Sequence, residues 1–250
     1  MFFQQLQQAF QHRFTEDQQS LVEKLSDFLF HQPETKVFII DGYAGTGKTG
    51  LMSALVKVLP FYSIKTILLA PTGRAAKVLS RNSQKTASTI HKHIYYSSID
   101  TNGNISLKLK NNKNTSTLYI VDEASMIGAR EQGFEAHNLL DDLLQHCLSG
   151  YKNKVIFMGD TAQLPPIGSS TSPALKQEYL ETEFALTTQY QRLTQVVRQA
   201  LQSGILRNAS NIRWAIANGR IRLPILKTKD LHDVRISESG NVRAMARLRF

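Results

Sequence analysis

A chain of 250 residues, 42% hydrophobic and 20% charged, has the make-up of a soluble globular protein with one substantial core, and its single cysteine, Cys147, excludes an internal disulfide framework and fits a reducing, cytoplasmic setting. No apolar run approaches the roughly 18 residues of a membrane span, and the opening "MFFQQLQQAF" lacks the basic start and long apolar stretch of a secretory signal. The net charge of +10 is concentrated: residues 189–250 carry 12 Lys/Arg against 3 Asp/Glu, and residues 74–113 carry eight basic groups against one acid, which suits a polyanion such as nucleic acid or, equally, a solvated basic surface.

The first helix is predicted from Thr15. "TEDQQSLVEKLSDFLF" puts Leu21, Val22, Leu25, Phe28 and Leu29 on one face, Thr15 and Gln18 fit a capping box, and Pro33 ends it. "KVFIID" (36–41) reads as a buried strand, followed by a Gly-rich loop and a helix over 48–59 stopped by Pro60. "KTILLA" (65–70) is a second strand and "GRAAKVLSR" (73–81) a helix. "YYSSIDTNGNISLKLK" holds Asn-Gly between alternating segments, a hairpin signal, and residues 92–116 read as a small insertion. "STLYIVDEA" (116–124) and "KVIFMGD" (154–160) are further buried strands, with a helix at about 130–148 between them. A long helix is expected over 193–218, and beyond Pro224 the chain is polar and basic with little periodicity. Strands alternating with helices imply a mostly parallel α/β sheet covered on both faces, with ligands at the carboxyl ends of the strands.

Three motifs fall at such ends. "GYAGTGKT" (42–49) fits the P-loop pattern between a strand and a helix: Gly42, Gly45, Thr46 and Gly47 let backbone N–H groups face phosphates, Lys48 reaches the β- and γ-phosphates, and the Thr49 hydroxyl ligates Mg²⁺. The bland alternative is a Gly-rich turn with an exposed lysine. In "LYIVDEAS" (118–125), Asp122 can hold Mg²⁺ through water and Glu123 can take a proton from an attacking water; two acids opening a helix is the other reading. In "KVIFMGDTAQLPPIG" (154–168), the strand carrying Asp160 is expected beside the P-loop strand, so that Gln163 meets the γ-phosphate or the attacking water and Pro165 and Pro166 stiffen the loop; alone, it is a Pro-rich turn.

The series "FTEDQ", "GYAGTGKT", "APTGRAAKVLS", "STIHKHIY", "YIVDEASM", "GDTAQLPPIG" and "LTQVVRQAL" resembles helicase superfamily 1, in its RecD/Dda-like branch, over residues 14–218. The resemblance implies a P-loop NTPase fold of RecA type, a motor domain over 1–91 and 117–190, an inserted hairpin subdomain over 92–116, and the start of a second motor domain or a basic tail over 191–250. It implies an ATP-dependent DNA helicase motor of 5′-to-3′ polarity, with ATP and Mg²⁺ as cofactors and single-stranded DNA as partner, expected as a monomer. By the same resemblance Gln18 reads the adenine, in competition with its capping-box role. Gln163 and Asp160 belong to the phosphate-sensing motif, and Arg198 approaches the γ-phosphate, with a solvated helix arginine as the alternative. Pro71, Thr72, Arg74 and Lys77, then Thr89 and His91, hold the DNA backbone. Tyr95 and Tyr96 either stack on bases or pack inside the insertion, and the hairpin at 94–110 matches the strand-splitting wedge in position. No later DNA-gripping motif follows residue 218, so a truncated motor is expected, and a nucleotide-dependent DNA-binding module with little turnover is the rival reading.

Overall fold

The computed structural model describes residues 1–99, 105–128, 138–163, 165–166, 171–197, 203–219, 226–227 and 233–234. The chain divides into two compact units, Met1–Gln195 and Val196–Phe250. The first is built on strands β1 (Thr35–Gly42), β2 (Lys65–Ala70), β3 (Ala87–Thr89), β6 (Thr117–Val121), β7 (Lys154–Gly159) and β8 (Thr187–Leu193), which form one parallel sheet in the order β3-β2-β6-β7-β1-β8. Strands β4 (Tyr95–Ile99) and β5 (Ile105–Leu109) make a separate antiparallel pair. The Asn-Gly expected at its tip lies outside the described residues.

Both faces of the sheet are buried, and the strand period of two divides the core between them. Phe38, Ile40, Leu118, Ile120, Ile156 and Met158 face helices α1 (Phe2–Phe10), α2 (Glu16–Ser26), α3 (Lys48–Val58) and α4 (Gly73–Ser83). Val37, Ile39, Tyr119, Val121, Val155 and Phe157 face α5 (Ile90–Ile94), α6 (Leu139–Leu148) and α7 (Gln177–Phe184). The mostly parallel α/β sheet, covered on both faces, that the alternating elements imply is therefore the one observed.

Helix α2 starts as its residues dictate. Thr15 Oγ1 accepts from Gln18 N (3.3 Å) and Gln18 Oε1 accepts from Thr15 N (3.0 Å), closing the capping box. Several elements differ from the sequence reading, among them α1, which precedes the first helix expected, and the stretch that follows β8. The stretch 193–218 is not one helix: Leu193 closes β8, residues 194–197 are irregular, and α8 runs Gly204–Ala217. Ser203 caps α8 by accepting from Leu206 N at 3.2 Å, and Asp233 accepts from Gly204 N at 2.7 Å. Sheet pairing also carries β8 past residue 190, and the first unit ends at Gln195.

Candidate nucleotide site and nucleic-acid face

Because every strand of the sheet runs the same way, the segments that leave β1, β2, β6 and β7 open at one edge. The phosphate-type loop leaves β1. Gly45 and Gly47 have φ of 82° and 83°, the left-handed region that glycine enters without a Cβ penalty, and Gly47 is the N-cap of α3. Thr46 Oγ1 donates to Tyr43 O at 2.8 Å and so closes the loop on itself. Lys48, in the first turn of α3, donates to the carbonyls of Gly42 and Tyr43, the latter at 3.1 Å. Thr49 beside it is half-buried.

Gln18 supports this loop from α2. It is 0% exposed, and its Nε2 donates to Thr46 O at 2.8 Å while its Oε1 serves the capping box. The same amide therefore holds both a helix start and the phosphate loop. This contact ties the phosphate loop to the start of α2. The adjacent Asp17 holds a different segment: its Oδ2 accepts from Thr194 N (2.6 Å), Thr194 Oγ1 (2.9 Å) and Gln195 N (3.0 Å), just after β8. Burial acts to raise the Asp17 pKa, but those bonds outweigh it and hold the carboxyl below the ordinary aspartate value.

Asp122 and Glu123 leave β6 and Asp160 leaves β7, which lies between β6 and β1 in the parallel sheet, so the three carboxylates stand at the same end as Lys48 and act on its charge. Burial pushes the Lys48 ammonium below the usual lysine range, while Asp160, Asp122, Glu123 and Asp41 pull it back. Asp122 is raised by burial against the opposing Glu123 N–H bond (2.9 Å) and the lysine charge. Glu123 is raised by burial and then by the charge of Asp122. Its φ of 54° makes it a non-glycine residue in the left-handed region, at the start of the turn Ala124–Met126. Among the described residues, acids thus outnumber the one lysine there. The hard oxygen donors of Asp122 and Thr49 are the type that suits Mg²⁺, and the excess of carboxylates among the described residues fits a cation there. Asp160 is 1% exposed, and its Oδ1 accepts from Ala162 N (2.9 Å) while its carbonyl accepts from Gln163 N (3.0 Å), folding residues 160–163 into a turn that leaves Gln163 exposed.

One group in this region escaped the sequence reading. Asp41, the residue before Gly42, is 1% exposed; it accepts from Thr161 N (3.0 Å), Thr161 Oγ1 (2.9 Å) and Tyr190 OH (3.0 Å), and pairs with Arg192 Nε at 3.4 Å. Arg192 in turn donates to Tyr43 OH at 3.0 Å and lies over the Tyr43 ring, 5.3 Å from its centroid. Only the acid that ends the "KVFIID" strand hinted at it; the partners lie far along the chain.

Residues 13–238 match the family described as AAA domain. The chain belongs to that family, as a RecD-like member. It is 28% identical over 232 residues to the ATP-dependent RecD2 DNA helicase of Deinococcus radiodurans, covering 93% of this chain and 27% of that protein. It is 33% identical over 181 residues to an uncharacterized protein of Acanthamoeba polyphaga mimivirus, covering 64% of this chain and 35% of the relative. The RecD-like chain thus spans about a third or less of the length of these relatives. In fold it is similar to the crystal structure of Pif1 helicase from Candida albicans, with TM-score 0.50 and 18% identity over 81% of this chain and 44% of that one.

The residues expected to hold DNA follow the same ends of β2 and β3. Pro71 and Thr72 leave β2, and Thr72 Oγ1 caps α4 by accepting from Ala75 N (3.2 Å), with Arg74 and Lys77 exposed on the first turns of that helix. Thr89 leaves β3 and caps α5 by accepting from Lys92 N (3.3 Å), and the His91 ring lies 5.7 Å from that of Tyr95. The two tyrosines part company. Tyr95 is buried and donates to Asp142 Oδ2 at 2.5 Å, so it packs within the domain and is not a stacking surface. Tyr96 is 64% exposed, with Lys110 Nζ 5.2 Å from its ring centroid. Arg198 lies outside the described residues. No described helix is long and apolar enough to cross a membrane.

Proposed function

We propose that the chain is the ATP-hydrolysing motor of a DNA helicase, moving 5′-to-3′ on a single strand held along Pro71, Thr72, Arg74, Lys77, Thr89 and His91. The observation that carries this reading is the gathering of Asp122, Glu123 and Asp160 about Lys48 at the mouth of a phosphate loop. A triphosphate would draw Lys48 away from the Gly42 and Tyr43 carbonyls to the β- and γ-phosphates. Thr49 and Asp122 would hold Mg²⁺, which supplies positive charge to the phosphate oxygens when bound. Glu123, its carboxyl poised above the ordinary range by burial, would take the proton of a water attacking the γ-phosphorus, the bond to the β–γ bridging oxygen breaking to give ADP and phosphate. Gln163, exposed at the turn after β7, would report whether the terminal phosphate is present, and Arg198 would stabilise the spreading charge.

The phosphate contacts of the nucleic-acid face would give affinity without sequence preference, with Tyr96 as a base-stacking surface on the hairpin. The deciding measurement is ATP turnover with and without single-stranded DNA. Wild type should hydrolyse ATP faster with DNA, and Glu123→Gln should lower kcat by about 10²–10⁴-fold while nucleotide still binds. DNA binding without any turnover at saturating DNA would instead make the chain a nucleotide-dependent binding module. Absence of salt-dependent DNA binding would remove the helicase reading.

A further inference from the structure

The carboxylate at the end of β1 has no part in the chemistry just described, yet it is among the most elaborately bonded groups in the first unit. In the sheet, β1 lies between β7 and β8. On the β7 side the main-chain register ends at Asp41 opposite Gly159. The Asp41 side chain continues where that ladder stops, taking both the backbone N–H and the hydroxyl of Thr161, inside the turn that carries Gln163. On the β8 side it meets its register partner Arg192 and, two residues earlier on the same face, Tyr190. Arg192 then reaches Tyr43 within the phosphate loop.

Strand pairing alone already fixes β1 against β7 and β8, so these side-chain bonds are not needed to hold the sheet. Their effect falls on the irregular segments beyond it. Bonds from Asp160 give the turn its shape, while Asp41 anchors that turn to the strand from which the phosphate loop springs. A buried carboxylate with three donors and a guanidinium converging on it is also a stiff joint, because loosening any one contact leaves charge less compensated in a dry place.

We propose that Asp41 is a positioning residue for ATP hydrolysis: it keeps the Gln163 turn in register with the phosphate loop and ties both to β8. This rests on the ATPase reading above. Asp41 does not touch the nucleotide, so its removal should change how well the reacting groups are placed more than how tightly ATP is held.

The test measures kcat and KM for ATP with saturating single-stranded DNA, using the full chain. Asp41→Asn should lower kcat roughly ten- to a hundred-fold, the cost of a small misplacement, with KM changed by no more than about two-fold. Thr161→Ala, which keeps the backbone N–H but loses the hydroxyl, should lower kcat less, and Thr161→Ser should restore it. Should Asp41→Asn fail to fold, the Thr161 pair decides alone. Wild-type kcat in Asp41→Asn and Thr161→Ala, no recovery in Thr161→Ser, or kcat and KM worsening in parallel as from general loosening, would overturn the proposal and leave the ATPase reading intact. Wild type without turnover overturns the ATPase reading itself, and this one with it.

Discussion

Replacing Gln18 and Thr15 in turn with alanine separates the loop-holding duty of Gln18 from the helix cap. The Gln18 change removes the bond from Nε2 to Thr46 O (2.8 Å) and the bond from Thr15 N to Oε1 (3.0 Å), leaving Thr46 O unpaired at a buried position and Thr15 N unpaired at a half-buried one. Two such losses, each near 1–2 kcal/mol with an orphaned partner, sum to about 3 kcal/mol. For a chain of this size that lowers Tm by about 6–12 °C. Thr15→Ala removes the cap hydroxyl alone, at a cost of about 1 kcal/mol, and leaves the bond to Thr46 in place. Thermal unfolding of both variants followed by circular dichroism, alongside their affinity for a fluorescent ATP analogue, gives the comparison. Gln18→Ala should be the less stable by about 2 kcal/mol and should also bind nucleotide more weakly, whereas Thr15→Ala should bind as wild type does. Equal stability of the two variants, with equal affinity, would refute the claim that this amide holds the phosphate loop.

Burial raises the Asp122 pKa, so its ionised form costs stability above that raised value and the cost disappears as pH falls through it toward the unfolded value. Asp122→Asn should therefore be more stable than wild type at pH 7 without nucleotide, by a margin that shrinks on acidification; denaturant melts at several pH values check this. Arg74→Ala with Lys77→Ala should weaken single-stranded DNA binding and reduce the slope of log K against log salt by about 1.4, two phosphate contacts' worth, as read by fluorescence anisotropy. A Cβ at Gly159 would fall 2.6 Å from Leu175 Cδ1 and 3.0 Å from Ser125 N, at the exit of β7. Gly159→Ala should cost about 1–3 kcal/mol in denaturant unfolding, through overpacking.

What could be read from the sequence follows from how each element is buried. Strands β1, β2, β6 and β7 are enclosed on both sides and so read as continuous apolar runs, such as "KTILLA", whose bounds match the observed strand. β8 sits at the sheet's edge; "TTQYQRL" buries only Thr188 and Leu193 fully and carries its polar residues half-exposed, so nothing in its pattern marks a strand. The apolar residues from Leu193 onward then merged with the true helix, which begins only at Gly204. α1 escaped because its buried face is two residues, Phe2 and Leu6, among glutamines. At the site, the loop and the acids at 122, 123 and 160 are legible because they end apolar runs. The Asp41 cluster is not, since its partners lie 120 and 149 residues away and share no local pattern. Gln18 fell between: its capping role is encoded three residues back, while its grip on Thr46 is encoded nowhere nearby.

Two neighbours at the start of α2 face separate tasks, Gln18 under the phosphate loop and Asp17 on the backbone at 194–195. They form a crank one residue long. The same helical turn therefore both supports the phosphate loop and pins the backbone where it leaves β8.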